Sequence, residues 1–226
     1  MPNSGRSIAA LRVLRLLPLL MLMLMLGLAP APAGAQALYE RFIQSVTIDR
    51  SDEVAALLGR GMDPNTVAPN GDPVLVIAAR SGFEPTLDAL LAAGAKVNIR
   101  NPYGDSAIMV AAIGGRLAIV KKLYARGAEI NHAGWTPLIY AATGGHADVA
   151  RYLIDAGANV NAASPNGTTA LMMAVREHRL DTARLLIGRG ADVNHRNQDG
   201  ATALSWAKRG NEVDLEKELR RAGARD

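Results

Sequence analysis

The chain has 226 residues, 49% apolar and 20% charged, with two Trp, two Phe and no Cys. A net charge of +4 on so apolar a chain excludes intrinsic disorder. The absence of cysteine excludes a disulfide framework, a thiolate zinc site, a thiol nucleophile and a lipid attached through a cysteine.

The first segment accounts for the basic balance. Arg6, Arg12 and Arg15 stand in a stretch without an acidic residue, and beyond residue 35 the chain carries 22 basic and 21 acidic residues. A body so close to neutral cannot supply the phosphate neutralisation that nucleic-acid binding needs, so no nucleic-acid partner is expected. After the arginines, Leu16 to Ala29 form an apolar run, and Ala33-Gly34-Ala35 follows as a small-x-small site. That order predicts a signal peptide over residues 1–35, cleaved near Ala35 or, at a second site, near Ala37. The expected location is periplasmic or secreted. The alternative is an uncleaved membrane anchor, since no charge appears between Leu16 and Tyr39. Against it, the run is short for a span and Pro30-Ala31-Pro32 follows it closely. Stability in an oxidising compartment without disulfides must come from apolar packing.

From residue 36 onward the chain repeats. Gly61, Gly94, Gly127, Gly157, Gly190 and Gly223 recur at spacings of 33, 33, 30, 33 and 33, and Asn65, Asn98, Asn131, Asn161 and Asn194 keep step four residues later. Each unit predicts two helices. In Gly134-Trp135-Thr136-Pro137-Leu138, Thr136 is placed to cap a helix and Pro137 falls in its first turn, where a missing N–H costs nothing. Ala141-Ala142 permits close helix approach, and Gly144-Gly145 turns the chain. A second helix around Asp148 to Asp155 places Val149, Tyr152 and Leu153 on one face, and Gly157 supplies a left-handed end. Pro69-Asn70-Gly71, Pro165-Asn166-Gly167 and Asp199-Gly200 then mark turns at loop tips.

These residues resemble the ankyrin repeat, whose unit of about 33 residues is a β-turn and two helices. The resemblance implies an all-α solenoid of helix-turn-helix units with projecting β-turn fingers. It covers a repeat domain over residues 36–226, in six units near 38–65, 66–98, 99–131, 132–161, 162–194 and 195–226, the first and last being degenerate caps. Three departures stand out. The histidine usual after Thr-Pro-Leu is replaced by Val76, Met109, Ile139, Met172 and Ser205. The turn glycine is replaced by His178 and Asn211 in the last two units, which predicts strain there. Only His132 and Ala133 separate Asn131 from Gly134, so the fourth finger is three residues short.

No catalytic constellation appears. His132, His146, His178 and His195 lack the spacing of a helical zinc pair, and there is no nucleophile elbow, phosphate loop or dinucleotide fingerprint. Neither an enzyme nor a cofactor is expected. The resemblance implies instead a monomer that binds another protein through its concave side, made of finger tips and first helices. Carried onto this chain, those positions are Asp105, Trp135 and their equivalents after the finger glycine, and Arg80, Ile113, Thr143, Arg176 and Arg209 at the ends of the first helices. Finger tips add Arg100 and Tyr103. Aromatic residues and arginine carry much interface energy. Tyr103, Ile113 and Trp135 are therefore expected to form an apolar anchor, with Arg80, Arg100, Arg176 and Arg209 as its polar rim. Alternatively, Trp135 packs against the next finger and fills the space left by the deletion. Tyr140 and Trp206, at a position usually apolar, are expected in the core.

Overall fold

The structure, a computed structural model, describes residues 33–226, so all but the last three residues of the signal peptide expected over residues 1–35 lie outside the described residues. The chain divides into two compact units, Met1–Arg41 and Phe42–Asp226. Of the first, residues 33–41 are described and form the opening turns of helix α1 (Ala33–Thr47). The remainder of α1 begins the second unit. There it is followed by α2 (Ser51–Gly59), and then by the pairs α3 (Val74–Ser81) and α4 (Glu84–Ala92), and α5 (Ala107–Ile113) and α6 (Leu117–Ala125). Next come α7 (Pro137–Gly144) and α8 (Ala147–Asp155), α9 (Ala170–Arg176) and α10 (Leu180–Gly188), and α11 (Ala203–Arg209) and α12 (Val213–Arg221).

Helix boundaries fall where local chemistry requires. The hydroxyls of Thr136, Thr169 and Thr202 accept from the N–H groups of Ile139, Met172 and Ser205, satisfying donors left free at a helix start. Ser205 returns the favour, its hydroxyl oxygen accepting from the Thr202 N–H at 3.0 Å. At the other end of α7, Gly145 takes a left-handed φ of 80°. His178 and Asn211 hold the equivalent turn at φ 59° and 55°, so the chain keeps the turn and puts non-glycine residues in the left-handed region.

Alternate helices form two layers. First helices pack in the order α3, α5, α7, α9, α11, and second helices in the order α2, α4, α6, α8, α10, α12. Ala78, Ala79, Ala111, Ala112, Ala141 and Ala142 are fully buried, which lets first helices approach closely. The residues standing for the usual histidine, Val76, Met109, Ile139 and Met172, are buried as well and fill space where a polar ring would need partners. In α12, Leu215 and Leu219 are buried beneath an otherwise charged helix, which closes the stack with a polar outer face.

The periodic asparagines join one repeat to the next. The Asn98 carbonyl accepts from the Glu129 N–H at 3.0 Å while its amide donates to the Gly127 carbonyl at 3.1 Å. Asn131 does the same with Asn159 and Gly157, Asn161 with Asp192 and Gly190, and Asn194 with Arg225 and Gly223. Fingers close through single antiparallel bridges, Val67 with Pro73, Arg100 with Ser106 and Ala163 with Thr169. The shortened fourth finger and the full-length last one have no such bridge among the described residues.

Candidate functional site

The concave side is built from finger tips and the exposed ends of first helices. In the third finger the Asn101 carboxamide oxygen accepts from the backbone N–H groups of Tyr103 and Asp105, at 3.0 and 2.9 Å, and holds the tip in a tight turn. Tyr103 projects from that tip with 86% of its surface exposed. Behind the tip, the Tyr140 hydroxyl donates to the Asp105 carboxylate, linking α7 to the preceding finger. Burial and that carboxylate raise the Tyr140 phenol above its ordinary range, because both disfavour a phenolate.

Trp135 stands edge-on to Tyr140, with ring centres 6.1 Å apart and planes at 87°. The two rings form a common wall between two hollows. One, of about 410 Å³, is lined by Arg100, Tyr103, Asp105, His132, Trp135 and Pro165 among others. The second, of about 240 Å³, is lined by Ile113, Trp135, Tyr140, Thr143, Met173 and Arg176. Thus Tyr103, Ile113 and Trp135 surround two adjoining hollows rather than one patch. Pro165 of the following finger faces the same hollow, and Trp135 remains part-exposed between it and Tyr140.

The arginines differ in their freedom. Arg80 makes a two-point bond to Asp72, at 2.7 and 3.2 Å, and Asp72 also accepts from the side-chain amides of Asn70 and Asn101. The Arg80 guanidinium beside it holds the Asp72 carboxyl below the usual carboxylate range, and Asp72 in turn raises Arg80. Arg100 donates to the Gly104 carbonyl at 2.8 Å and lies 3.8 Å from Glu129, so it braces its own finger. Thr143 donates to the Ile139 carbonyl at 2.8 Å. Arg176 pairs with Glu177 at 3.0 Å and lies over the Trp206 ring, 5.9 Å from its centre. With Arg209 it lines a third hollow of about 510 Å³.

Among the described residues no group of three His, Asp or Glu side chains could hold a metal ion. Each histidine has a local partner. His146 and His195 bond the carbonyls of Ile113 and Gly167, His132 bonds Ala133, and His178 lies 2.6 Å from Glu212.

Residues 43–134 and 130–197 match the family described as ankyrin repeats (3 copies). The chain belongs to the ankyrin-repeat family. A human relative, fibronectin type 3 and ankyrin repeat domains protein 1, is 56% identical over 43 residues. That stretch is 19% of this chain and 12% of the relative, so the likeness concerns the repeat and not the whole of either protein. Ankyrin repeats generally mediate protein–protein interaction, and proteins built from them are typically interaction modules without catalysis. No helix among the described residues is long and apolar enough to cross a membrane.

Two positions of the ankyrin units correct the sequence reading. Tyr140 and Trp206, expected in the core, are only half-buried and line the concave hollows. Their register matches that of Val110 and Met173, which are buried, but the longer aromatic rings reach past the packed helices. Their size was the available signal. The role of the periodic asparagines was also missed, since spacing alone does not reveal a bond to the next repeat.

Proposed function

We propose that the chain is exported and works outside the cytoplasm as a monomeric binding module, taking a partner protein on its concave face without a cofactor. The observation that carries this is the convergence of Tyr103, Trp135 and Tyr140 on one hollow in a chain with only 4% aromatic residues. Rigid aromatic side chains beside a preformed depression are the usual anchors of a protein interface. Ile113 and Thr143 extend the anchor along the second hollow, Asp105 orients Tyr140, and Arg80, Arg100, Arg176 and Arg209 set the polar surroundings.

The test is capture of partners from the exported fraction by the protein and by a Tyr103→Ala, Trp135→Ala double variant, with bound proteins identified by mass. A partner held by the first and lost by the second supports the proposal. Equal retention moves the interface elsewhere on the solenoid. The mass of the chain recovered from the envelope separates cleavage near Ala35 or Ala37 from a scaffold tethered by an intact N-terminus.

A further inference from the structure

Resting on the concave-face reading, the hollow between Tyr103 and Trp135 points to the chemistry of the partner group that enters it. Tyr103, Trp135 and Tyr140 line it, and the last two rings meet at 87° like two walls of a corner. Ring faces are electron-rich and attract cations. The charged side chains nearby pair off and leave one acid over. Arg80, within electrostatic reach of Asp105, is held by Asp72 in a two-point bond. Arg100 donates to the Gly104 carbonyl and lies 3.8 Å from Glu129. Asp105 lines the hollow and makes no ion pair among the described residues. Its Oδ1 accepts from the Tyr140 hydroxyl, and its Oδ2 has no donor among the described residues. The His132 ring keeps its proton on Nδ1, which donates to the Ala133 carbonyl at 2.9 Å, while Nε2 is buried without a partner, so a second proton there would have no acceptor.

We propose that this hollow takes a lysine side chain of the partner protein, its ammonium donating to Asp105 Oδ2 and its methylene stem lying against Trp135 and Pro165. The volume, about 410 Å³, has room for one long side chain. The unpaired carboxylate and the aromatic walls are complementary to a cation. Arginine fits less well, because a two-point guanidinium bond needs both oxygens of a carboxylate and Tyr140 already holds one. An ammonium needs a single acceptor there. A carboxylate entering the hollow would be repelled by Asp105, and an apolar side chain would cover Oδ2 without supplying a donor.

The experiment uses fluorescein-labelled short peptides with one central lysine among glycine and serine, and twins with arginine, norleucine or glutamate in its place. They are read by anisotropy against the protein and its Asp105→Asn variant, in which the amide oxygen can still accept from Tyr140 while a donor replaces Oδ2. The lysine peptide is expected to bind about tenfold more tightly than each twin, to weaken about tenfold in the variant, and to weaken as salt is added. No binding of the lysine peptide, or a norleucine or arginine twin that binds as tightly, overturns the assignment, and neither result depends on a variant that folds. Unchanged binding to the Asp105→Asn protein overturns it as well. Phosphatidylcholine vesicles that compete as well as the lysine peptide overturn it in favour of a lipid headgroup. The variant is also run in the partner capture. A partner lost from the Tyr103→Ala, Trp135→Ala variant but kept by Asp105→Asn overturns this inference and leaves the concave-face proposal standing. A lysine peptide that binds the unaltered chain and is lost in Asp105→Asn, with no protein captured by the unaltered chain, supports the hollow and overturns the wider proposal.

Discussion

The Tyr140 hydroxyl in α7 reaches back to the Asp105 carboxylate of the preceding finger, 35 residues earlier in the chain. This bond ties a first helix to a finger tip across a repeat boundary. It also fixes the ring against which Trp135 stacks. Replacing Tyr140 by Phe keeps the ring and removes the bond, leaving Asp105 without its donor. The expected loss is about 1–3 kcal/mol, measured by urea unfolding. The raised Tyr140 phenol gives a pH signature as well. Its contribution is complete below the unfolded tyrosine value of about 10 and falls above it, because the unfolded chain then loses a proton that the folded chain retains. The Tyr140→Phe variant should lose stability less steeply in that alkaline window.

Asp72 and Arg80 have the opposite dependence. The Asp72 carboxyl is lowered by Arg80, so its stabilisation is complete above the unfolded carboxylate value of about 4 and is lost as pH falls through that value toward the depressed one. Asp72→Asn should flatten the acid limb of a stability–pH curve and cost about 1 kcal/mol at neutral pH, where a part-buried two-point bond is lost whose Arg80 side is 45% exposed and screened by solvent. A curve unchanged by the substitution would mean the pair contributes nothing to folding.

Much of the fold was legible because a solenoid writes one local solution several times. The glycines after second helices, the Thr caps and the shortened fourth finger each follow from one residue type at one period. The site was legible in part. The resemblance to the ankyrin unit, carried over position by position, points to Ile113, Trp135, Arg176 and Arg209 on the concave side. It does not give how far a side chain extends. Tyr140 and Trp206 therefore looked like core residues, although their rings exceed the space that Met173 and Val110 occupy. Nor does spacing show that Arg80 is already held by Asp72 while Arg209 is free among the described residues.

The left-handed turn residues give a stabilising prediction. Asn211 sits at φ 55° where the second, third and fourth units have Gly82, Gly115 and Gly145. Asn211→Gly should raise stability by about 0.5 kcal/mol by removing the steric penalty of a Cβ there. The reverse change should be costly. A Cβ on Gly145, at φ +80°, would lie 2.5 Å from Arg179 Cδ, so Gly145→Ala combines backbone strain with a clash and should lower stability by about 1–3 kcal/mol. Thermal midpoints of both variants decide the matter.

The asparagine ladder predicts a positional series. Asn131→Ala removes two bonds to the next repeat, at 2.8 Å each, and should cost about 1–3 kcal/mol. Asn65 makes one bond of this kind, to the Lys96 N–H, its amide being turned to Asp63, so Asn65→Ala should cost about half as much. Equal costs in denaturant unfolding would show that the bonds across repeats are not what these residues contribute.

Trp135 separates binding from stability. Its edge-on contact with Tyr140 is worth about 0.5–1.5 kcal/mol beyond area, and the ring remains part-exposed. Trp135→Ala should therefore leave helicity unchanged and cost about 1–2 kcal/mol of stability, while weakening partner capture at least tenfold as an interface anchor does. Loss of several kcal/mol with partner capture unchanged would assign Trp135 to packing against Pro165 and Tyr140. It would then fill the space left by the shortened finger and contribute little to recognition.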